Sequence, residues 1–289
     1  MPTAFLFPGQ GSQRLGMRAA LAAHPAARDV FDAVDDALER PLSRLMDDGP
    51  EDELTLTRNA QPALMAVSIA AVRALEAELG RPLAAVTDVV AGHSLGEYTA
   101  LTAAWTFDVA TAARLLDLRG AAMQAAVPVG DGAMAALMGL DVPRVAALLA
   151  TLDGVVDIAN DNADGQVVVS GERAAVEAAV EAARAAGARR ATVLSVSAPF
   201  HCRLMRPAAE RMAQALGEVR LATPTVPVVA NVTAEPLTEV DAIRAALIDQ
   251  VCGRVRWRET MAALTADGVD RVVEAGAGKV LAGLAKRGV

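Results

Sequence analysis

Ser94 stands between Gly92 and Gly96 in the run VVAGHSLGEYTALTAA (89–104), after an apolar stretch and before a helix-prone one. A serine on a sharp strand-to-helix turn presents its hydroxyl outward, and the helix that follows favours negative charge there. Such a residue suits nucleophilic attack on an acyl group. The same residues also fit a small side chain in a tight structural turn. A hydroxyl is a weak nucleophile until a base takes its proton, so a histidine partner is needed. The chain has three. His24 precedes Pro25 between two helical patterns and reads as a surface-loop residue. His93 adjoins Ser94, and neighbouring side chains on a turn point apart, so it supports the turn rather than serving as base. That leaves His201, in SAPFHCRLM, where a strand ends and a helix begins, as general base. Cys202, next to the base in sequence, is poorly placed to be the nucleophile. No His and Cys pair has metal-ligand spacing, which argues against a metal site. The glycine-rich loop FPGQGSQ (7–13) lacks the ending of a P-loop and the glycine spacing of a dinucleotide turn, as does EAGAGKV (274–280). PGQG instead suits bringing backbone N–H groups to the serine, where an oxyanion would form; an ordinary loop is the alternative.

These residues need elements to hold them. Short β-branched or apolar runs alternate with Ala-rich helical patterns, which predicts an α/β protein with a mostly parallel sheet and an α/β-hydrolase-like core. Buried strands are predicted at 3–7, 86–91, 226–232 and 269–275. Helices are predicted at 60–79, 95–104, 108–126, 203–217, 239–251, 256–267 and 278–286. The middle of the chain breaks this rhythm. There the order is strand (132–140), helix (141–152), strand (154–160), strand (165–171), helix (173–187), strand (190–197). That β-α-β-β-α-β order predicts an inserted ferredoxin-like small subdomain over 128–197. The large subdomain, with the serine, then comprises 1–127 and 198–289. Ligand clefts favour such junctions.

Composition narrows the class. Hydrophobic residues make up 53% of the 289 and aromatics only 3%, so the core is built from Ala, Val and Leu. Cys202 and Cys252 allow at most one disulfide, which fits a reducing cytoplasm. The N-terminus MPTAFLFPGQGSQ has no basic region and reads as a buried strand, not a signal peptide. Charges interrupt even ALMAVSIAAVRALEAE, so no membrane span is expected. A net charge of −8 argues against a nucleic-acid partner.

Taken together, FLFPGQGSQ, GHSLGEYTAL, LLDLRGAAMQ, GQVVVSG, APFHCRLM, NV at 231–232, Gln250 and EAGAGKVLAGL resemble, in order and spacing, the malonyl-CoA:acyl-carrier-protein transacylase family of fatty-acid synthesis. The resemblance covers nearly the whole chain and agrees with the inserted small subdomain. It implies that Ser94 accepts the acyl group, that His201 is its base, and that the backbone N–H groups of Gln10 and Leu95 form the oxyanion hole. It also implies that a main-chain carbonyl at Gln250, not an acid, orients the histidine. Arg119 lies in an otherwise apolar helical stretch, where an unpaired guanidinium is costly to bury. A malonyl carboxylate would give it a planar, bidentate partner; an unidentified acid or a solvated face are the alternatives. Phe200 would narrow the space beside the middle carbon of the substrate and favour malonyl over methylmalonyl. His93 and Gln250 complete the substrate-binding set. Arg189 and Arg190, with Arg203, Arg206 and Lys279, match a basic patch for docking acidic carrier protein.

The implied reaction is ping-pong transfer of malonyl from malonyl-CoA to the phosphopantetheine thiol of acyl carrier protein, with no bound cofactor, in a cytoplasmic monomer. The chain departs from the family pattern at Asp164, in GRVRW before Trp257, and at Ala277, where proline is commoner. A serine thioesterase or esterase is one rival, although Arg119 would then have no evident task. An acyltransferase of polyketide or malonate metabolism with another acyl-CoA is a second, and a non-catalytic carrier-binding subunit a third.

Overall fold

The computed structural model describes residues 1–288; residue 289, the predicted end of the large subdomain, lies outside them. The chain starts in β1 (Thr3–Phe7) and runs through α1 (Pro25–Leu38), α2 (Leu42–Asp48), α3 (Glu51–Thr55) and α4 (Thr57–Leu79) to β2 (Val89–Gly92). Then come α5 (Leu95–Ala103) and α6 (Val109–Ala125). The middle holds β3 (Gly132–Met138), α7 (Val142–Leu149), β4 (Val156–Ala163), β5 (Gln166–Glu172), α8 (Arg173–Ala185) and β6 (Arg190–Val193). The remainder is α9 (Arg206–Glu218), β7 (Val228–Val229), β8 (Pro236–Leu237), α10 (Val240–Gln250), α11 (Trp257–Ala266), β9 (Arg271–Glu274) and α12 (Val280–Gly288).

The first sheet has the order β8-β7-β2-β1-β9, parallel except for the edge hairpin β7–β8. All five residues of β1 are buried because both faces are covered. Successive side chains alternate between faces: Phe5 and Phe7 join the large cluster under α1, α4, α5, α6 and α9, whereas Ala4 and Leu6 pack with Trp257, Leu264 and Leu284 of α11 and α12. α5 is enclosed on every side, with all nine residues buried. Any charged group on that helix therefore sits in the core.

The second sheet is antiparallel, with the order β4-β5-β3-β6. One face packs on α7 and α8 through Leu137, Val169, Val176 and Val180. The other carries Met134 and Val168 beside Leu194 and Phe200, an apolar wall turned toward the first sheet. The two sheets are tied where Asp161 N–H donates to Val255 O at 2.9 Å and Val255 N–H to Ala159 O at 2.8 Å. Beside that tie, Arg258 on α11 pairs with the buried Asp161 at 2.9 Å.

The predicted elements and the observed ones differ in several places. The predicted strand 226–232 is in the ladder only at Val228–Val229, because the chain turns back at Ala230, whose N–H donates to Glu235 O. Residues 194–197, expected to extend β6, leave the sheet. The helical pattern expected after His24 is α1, whereas α2, α3 and the edge strand β8 have no counterpart in the sequence reading. Cys202 and Cys252 are both free thiols. No helix among the described residues is long and apolar enough to cross a membrane.

Candidate active site

β2 delivers the chain to Ser94 and α5 leaves from it. Ser94 itself has φ 56° and ψ −112°, a strained conformation for a residue with a side chain. The turn is that sharp only because its flanks lack side chains. A Cβ on Gly92 would meet Gly96 O at 1.8 Å, and one on Gly96 would meet Phe7 O of β1 at 2.2 Å. Asn231, from the turn after β7, holds the strained turn in place. Its Oδ1 accepts from Ser94 N–H at 2.7 Å, and its Nδ2 donates to Gly92 O at 2.7 Å.

Ser94 Oγ lies 2.8 Å from His201 Nε2. His201 Nδ1 lies 2.9 Å from the main-chain oxygen of Gln250. A carbonyl only accepts, so Nδ1 bears the proton, and the Nε2 lone pair faces the serine hydroxyl. The imidazole is 4% exposed. Burial first, and the nearby Arg119 cation second, push its pKa down to about 3, so the ring is neutral and able to accept a proton at neutral pH.

Arg119, on α6, is 1% exposed and reaches the same point. One terminal nitrogen donates to Gln61 Oε1 at 2.8 Å. The other donates to Gln250 Oε1 at 2.8 Å and to Ser94 Oγ at 3.2 Å. All these acceptors are neutral, and among the described residues no carboxylate is in ion-pair contact with it. Burial acts most on it, followed among titratable groups by Tyr98 and then by Glu97, both on α5, Glu97 being 2% exposed. Glu97 Oε2 accepts from Gln250 Nε2 at 2.8 Å and from Asn231 N–H at 2.9 Å. Burial raises its pKa to about 7 against the opposing pull of those donors and of Arg119.

These groups open into a cavity of about 410 Å³ between the two sheets. Met134, Val168, Leu194 and Phe200 give it an apolar wall, and Gln10, His93, Ser94 and Arg119 its polar floor. Leu95 is the first residue of α5, so its N–H has no acceptor within the helix. Gln10 faces the cavity from the loop after β1, its side chain drawn aside by Thr57 Oγ1 at 3.2 Å. His93 turns away from the Ser94–His201 pair and meets Asn162 Oδ1 at 2.9 Å, with Trp257 packed beside it.

The structure thus brings Ser94, His201, Arg119, Gln10, Leu95, Phe200 and His93 to one cavity, with Gln250 buried behind Arg119 and His201. Arg189 and Arg190 stand apart from it, exposed at the start of β6, four residues and so about 13 Å of strand from the lining residue Leu194. Arg203 is tied to Asp157 and leaves less free charge on that surface than the sequence suggests. Asp164, exposed, lies 3.7 Å from Arg258. Among the described residues no group of side chains could hold a metal ion.

Four residues of the site have no role in the sequence reading: Asn231, Glu97, Gln61 and Asn162. Glu97 was open to the same argument as Arg119, being a charge three residues after Ser94 in an otherwise uncharged run. Gln61 is similarly a polar residue in an apolar helical stretch. Asn231 enters the sequence reading only within the NV motif and without a role, because its value comes from a turn that only the tertiary fold defines.

Comparison with known proteins bears on this geometry. The acyl transferase domain family matches residues 4–289. The malonyl CoA-acyl carrier protein transacylase of Escherichia coli (strain K12) is 46% identical over 287 residues, covering 98% of this chain and 92% of that protein. The crystal structure of acyl-carrier-protein-S-malonyltransferase from Bartonella henselae superposes with a TM-score of 0.97 at 53% identity, covering 100% of this chain and 93% of that one. A malonyl-transacylase in complex with its type II polyketide acyl-carrier protein gives a TM-score of 0.96 at 44% identity, covering 100% and 93%.

Proposed function

The chain belongs to the acyl transferase family and is an acyltransferase, and from that premise we propose that it moves a malonyl group from malonyl-CoA to the phosphopantetheine thiol of acyl carrier protein. The observation that carries this reading is a buried arginine with only neutral acceptors, 3.2 Å from a serine hydroxyl that is itself 2.8 Å from a neutral histidine. The relatives named as malonyl transacylases, one of them bound to its carrier protein, support the same substrates.

The mechanism follows from the geometry. Ser94 Oγ attacks the thioester carbonyl while His201 Nε2 takes its proton. The oxyanion that forms is held by the N–H groups of Gln10 and Leu95. Collapse expels CoA, whose sulfur takes the proton from His201, and leaves malonyl-Ser94. The carrier thiol then reverses these steps. Arg119 binds the free carboxylate, and that pairing also removes the positive field that lowers the basicity of His201. The base therefore strengthens when the correct substrate is seated. A plain acyl group lacks this effect and leaves the guanidinium unsatisfied, which argues for malonyl over acetyl by the penalty of an unpaired buried charge. Phe200 restricts the space beside the middle carbon.

We place the catalytic serine in an α/β-hydrolase-like large subdomain, residues 1–127 and 198–289, and assign 128–197 to a ferredoxin-like small subdomain; the order β4-β5-β3-β6 supports that assignment. Arg189 and Arg190 dock the acidic carrier. The enzyme acts without a resident cofactor, as a cytoplasmic monomer.

Mass spectrometry of the intact protein tests the reading. Malonyl-CoA should add one malonyl group, acetyl-CoA none, and Ser94→Ala should abolish the gain. Equal loading by both donors, or release of free malonate without carrier protein as fast as transfer with it, would overturn it.

A further inference from the structure

Glu97 is a buried carboxylate that the acyl-transfer steps leave without a task. It lies one helical turn beyond the nucleophile and 2% exposed. Its Oε2 takes hydrogen bonds from Gln250 Nε2 and the Asn231 N–H. Those two donors are not idle. Gln250 Nε2 also reaches Ser94 O at 2.9 Å, so two acceptors fix the amide with its nitrogen toward α5 and its oxygen toward Arg119. The main-chain oxygen of the same residue holds His201. Glu97 is thereby joined to the arginine through one amide, and the two charges compensate each other through it without contact.

The charge count changes when a dicarboxylic acyl group arrives. The empty cluster holds one cation, Arg119, and one buried acid, Glu97, with His201 neutral. A substrate carboxylate on Arg119 adds a second negative charge to a largely buried cluster, and an uncompensated buried charge is costly. One proton restores the balance. Two groups could receive it, and only one leaves the enzyme competent: a proton on His201 would remove the base, whereas a proton on Glu97 costs no catalytic group.

Given the malonyl reading above, on which this rests, we infer that Glu97 is a positioning residue that takes up one proton as the malonyl carboxylate docks on Arg119 and so keeps His201 neutral. The step is a protonation only: the carboxylate gains one proton from solvent or buffer, and no other bond changes. The surroundings suit it. α6 brings Arg119, the helix itself brings Tyr98, whose buried hydroxyl has no hydrogen-bond partner of good geometry, and α10 brings the Gln250 amide. β1, β2 and β7, which pack against α5, carry no titratable side chain; α4 adds the neutral Gln61 at the far side of Arg119, and Arg73, which donates to Thr102 O at the C-terminal end of α5. Burial already raises the Glu97 pKa to about 7, and loss of the free arginine charge on substrate binding raises it further.

The experiment is calorimetry of malonyl-CoA binding to full-length Ser94→Ala enzyme at about pH 8, in buffers of different ionisation enthalpy. Uptake should approach one proton per malonyl-CoA bound. It should shrink toward about pH 6, where the empty site is already protonated. Acetyl-CoA should bind with no uptake, and Ser94→Ala/Glu97→Gln should bind malonyl-CoA with none. Should the double variant fold poorly, infrared difference spectra of Ser94→Ala should show a protonated-carboxyl band on malonyl-CoA addition that does not move with 13C in the malonyl group. Malonyl-CoA binding with no proton uptake at about pH 8, or with the same uptake in the Glu97→Gln protein, overturns the inference while leaving the substrate intact. Failure to favour malonyl-CoA over acetyl-CoA at all overturns the substrate reading instead.

Discussion

At the scale of single residues, the proposed acyl transfer turns on the charge state of one imidazole. Burial and Arg119 hold His201 at about 3, so the acid limb of kcat/KM should lie far below the ordinary 6.5. Replacing Arg119 with Met removes the second of those causes. The limb in this variant should move upward in pH, measured with a plain acyl-CoA that does not need the arginine. The same variant should lose about 100-fold in kcat/KM for malonyl-CoA, since charge-assisted hydrogen bonds are worth about 1.5–3 kcal/mol. A shift of the limb to lower pH would show that another group sets it. The depressed His201 also affects folding. Its folded value lies below its unfolded one, so the stability it contributes is present above about 6.5 and is lost as pH falls toward about 3.

Among the elements, the turn from β2 to α5 depends on close packing against β1 and the turn after β7. Gly96→Ala puts a Cβ at 2.2 Å from Phe7 O, backbone that cannot yield without moving a central strand. It should cost several kcal/mol of stability, read as a fall in the urea midpoint, or abolish soluble folded protein. Asn231→Ala is subtler, because it removes the partners of Ser94 N–H and Gly92 O without a steric clash. Each polar group left unpaired costs about 1–3 kcal/mol. Thermal unfolding should therefore occur at lower temperature, and kcat should fall more than KM rises, because the hydroxyl loses its aim. Unchanged kcat in a stable Asn231→Ala protein would mean that the glycines alone set the turn.

Across the whole molecule, the cavity exists because an apolar face of the second sheet looks across at the end of the first. The junction that sets their separation is short: two hydrogen bonds between β4 and Val255, and the Asp161–Arg258 pair. Asp161 is 1% exposed and Arg258 about a third exposed, so Asp161→Ala should cost about 1–3 kcal/mol, less than for a fully buried pair. Hydrogen exchange should speed up at the β4–α11 contact while the Ser94 turn stays protected. The exposed Arg190 makes a different prediction. Arg190→Glu should raise KM for carrier protein several-fold and leave malonyl loading of Ser94 from malonyl-CoA unchanged.

The sequence by itself determined the alternation of strands and helices, the break in that rhythm over the second sheet, and the pairing of Ser94 with His201, whose side chains meet at 2.8 Å. Each of these is a local signal: the period of apolar residues, glycines flanking a serine, and a count of only three histidines. Fold and site were less legible wherever a residue acts through distant partners. The helices α2 and α3, 7 and 5 residues long, are too short to show a period, and the 226–232 run looks like one strand although it turns after Val229. Only the tertiary structure decided that Asn231 holds the serine, that Gln250 serves His201 with its main chain and Arg119 with its side chain, and that Glu97 is buried. The reason is physical: these roles depend on hydrogen bonds between segments 49 to 156 residues apart, or on enclosure of α5 from every side, and neither leaves a pattern in the neighbouring residues.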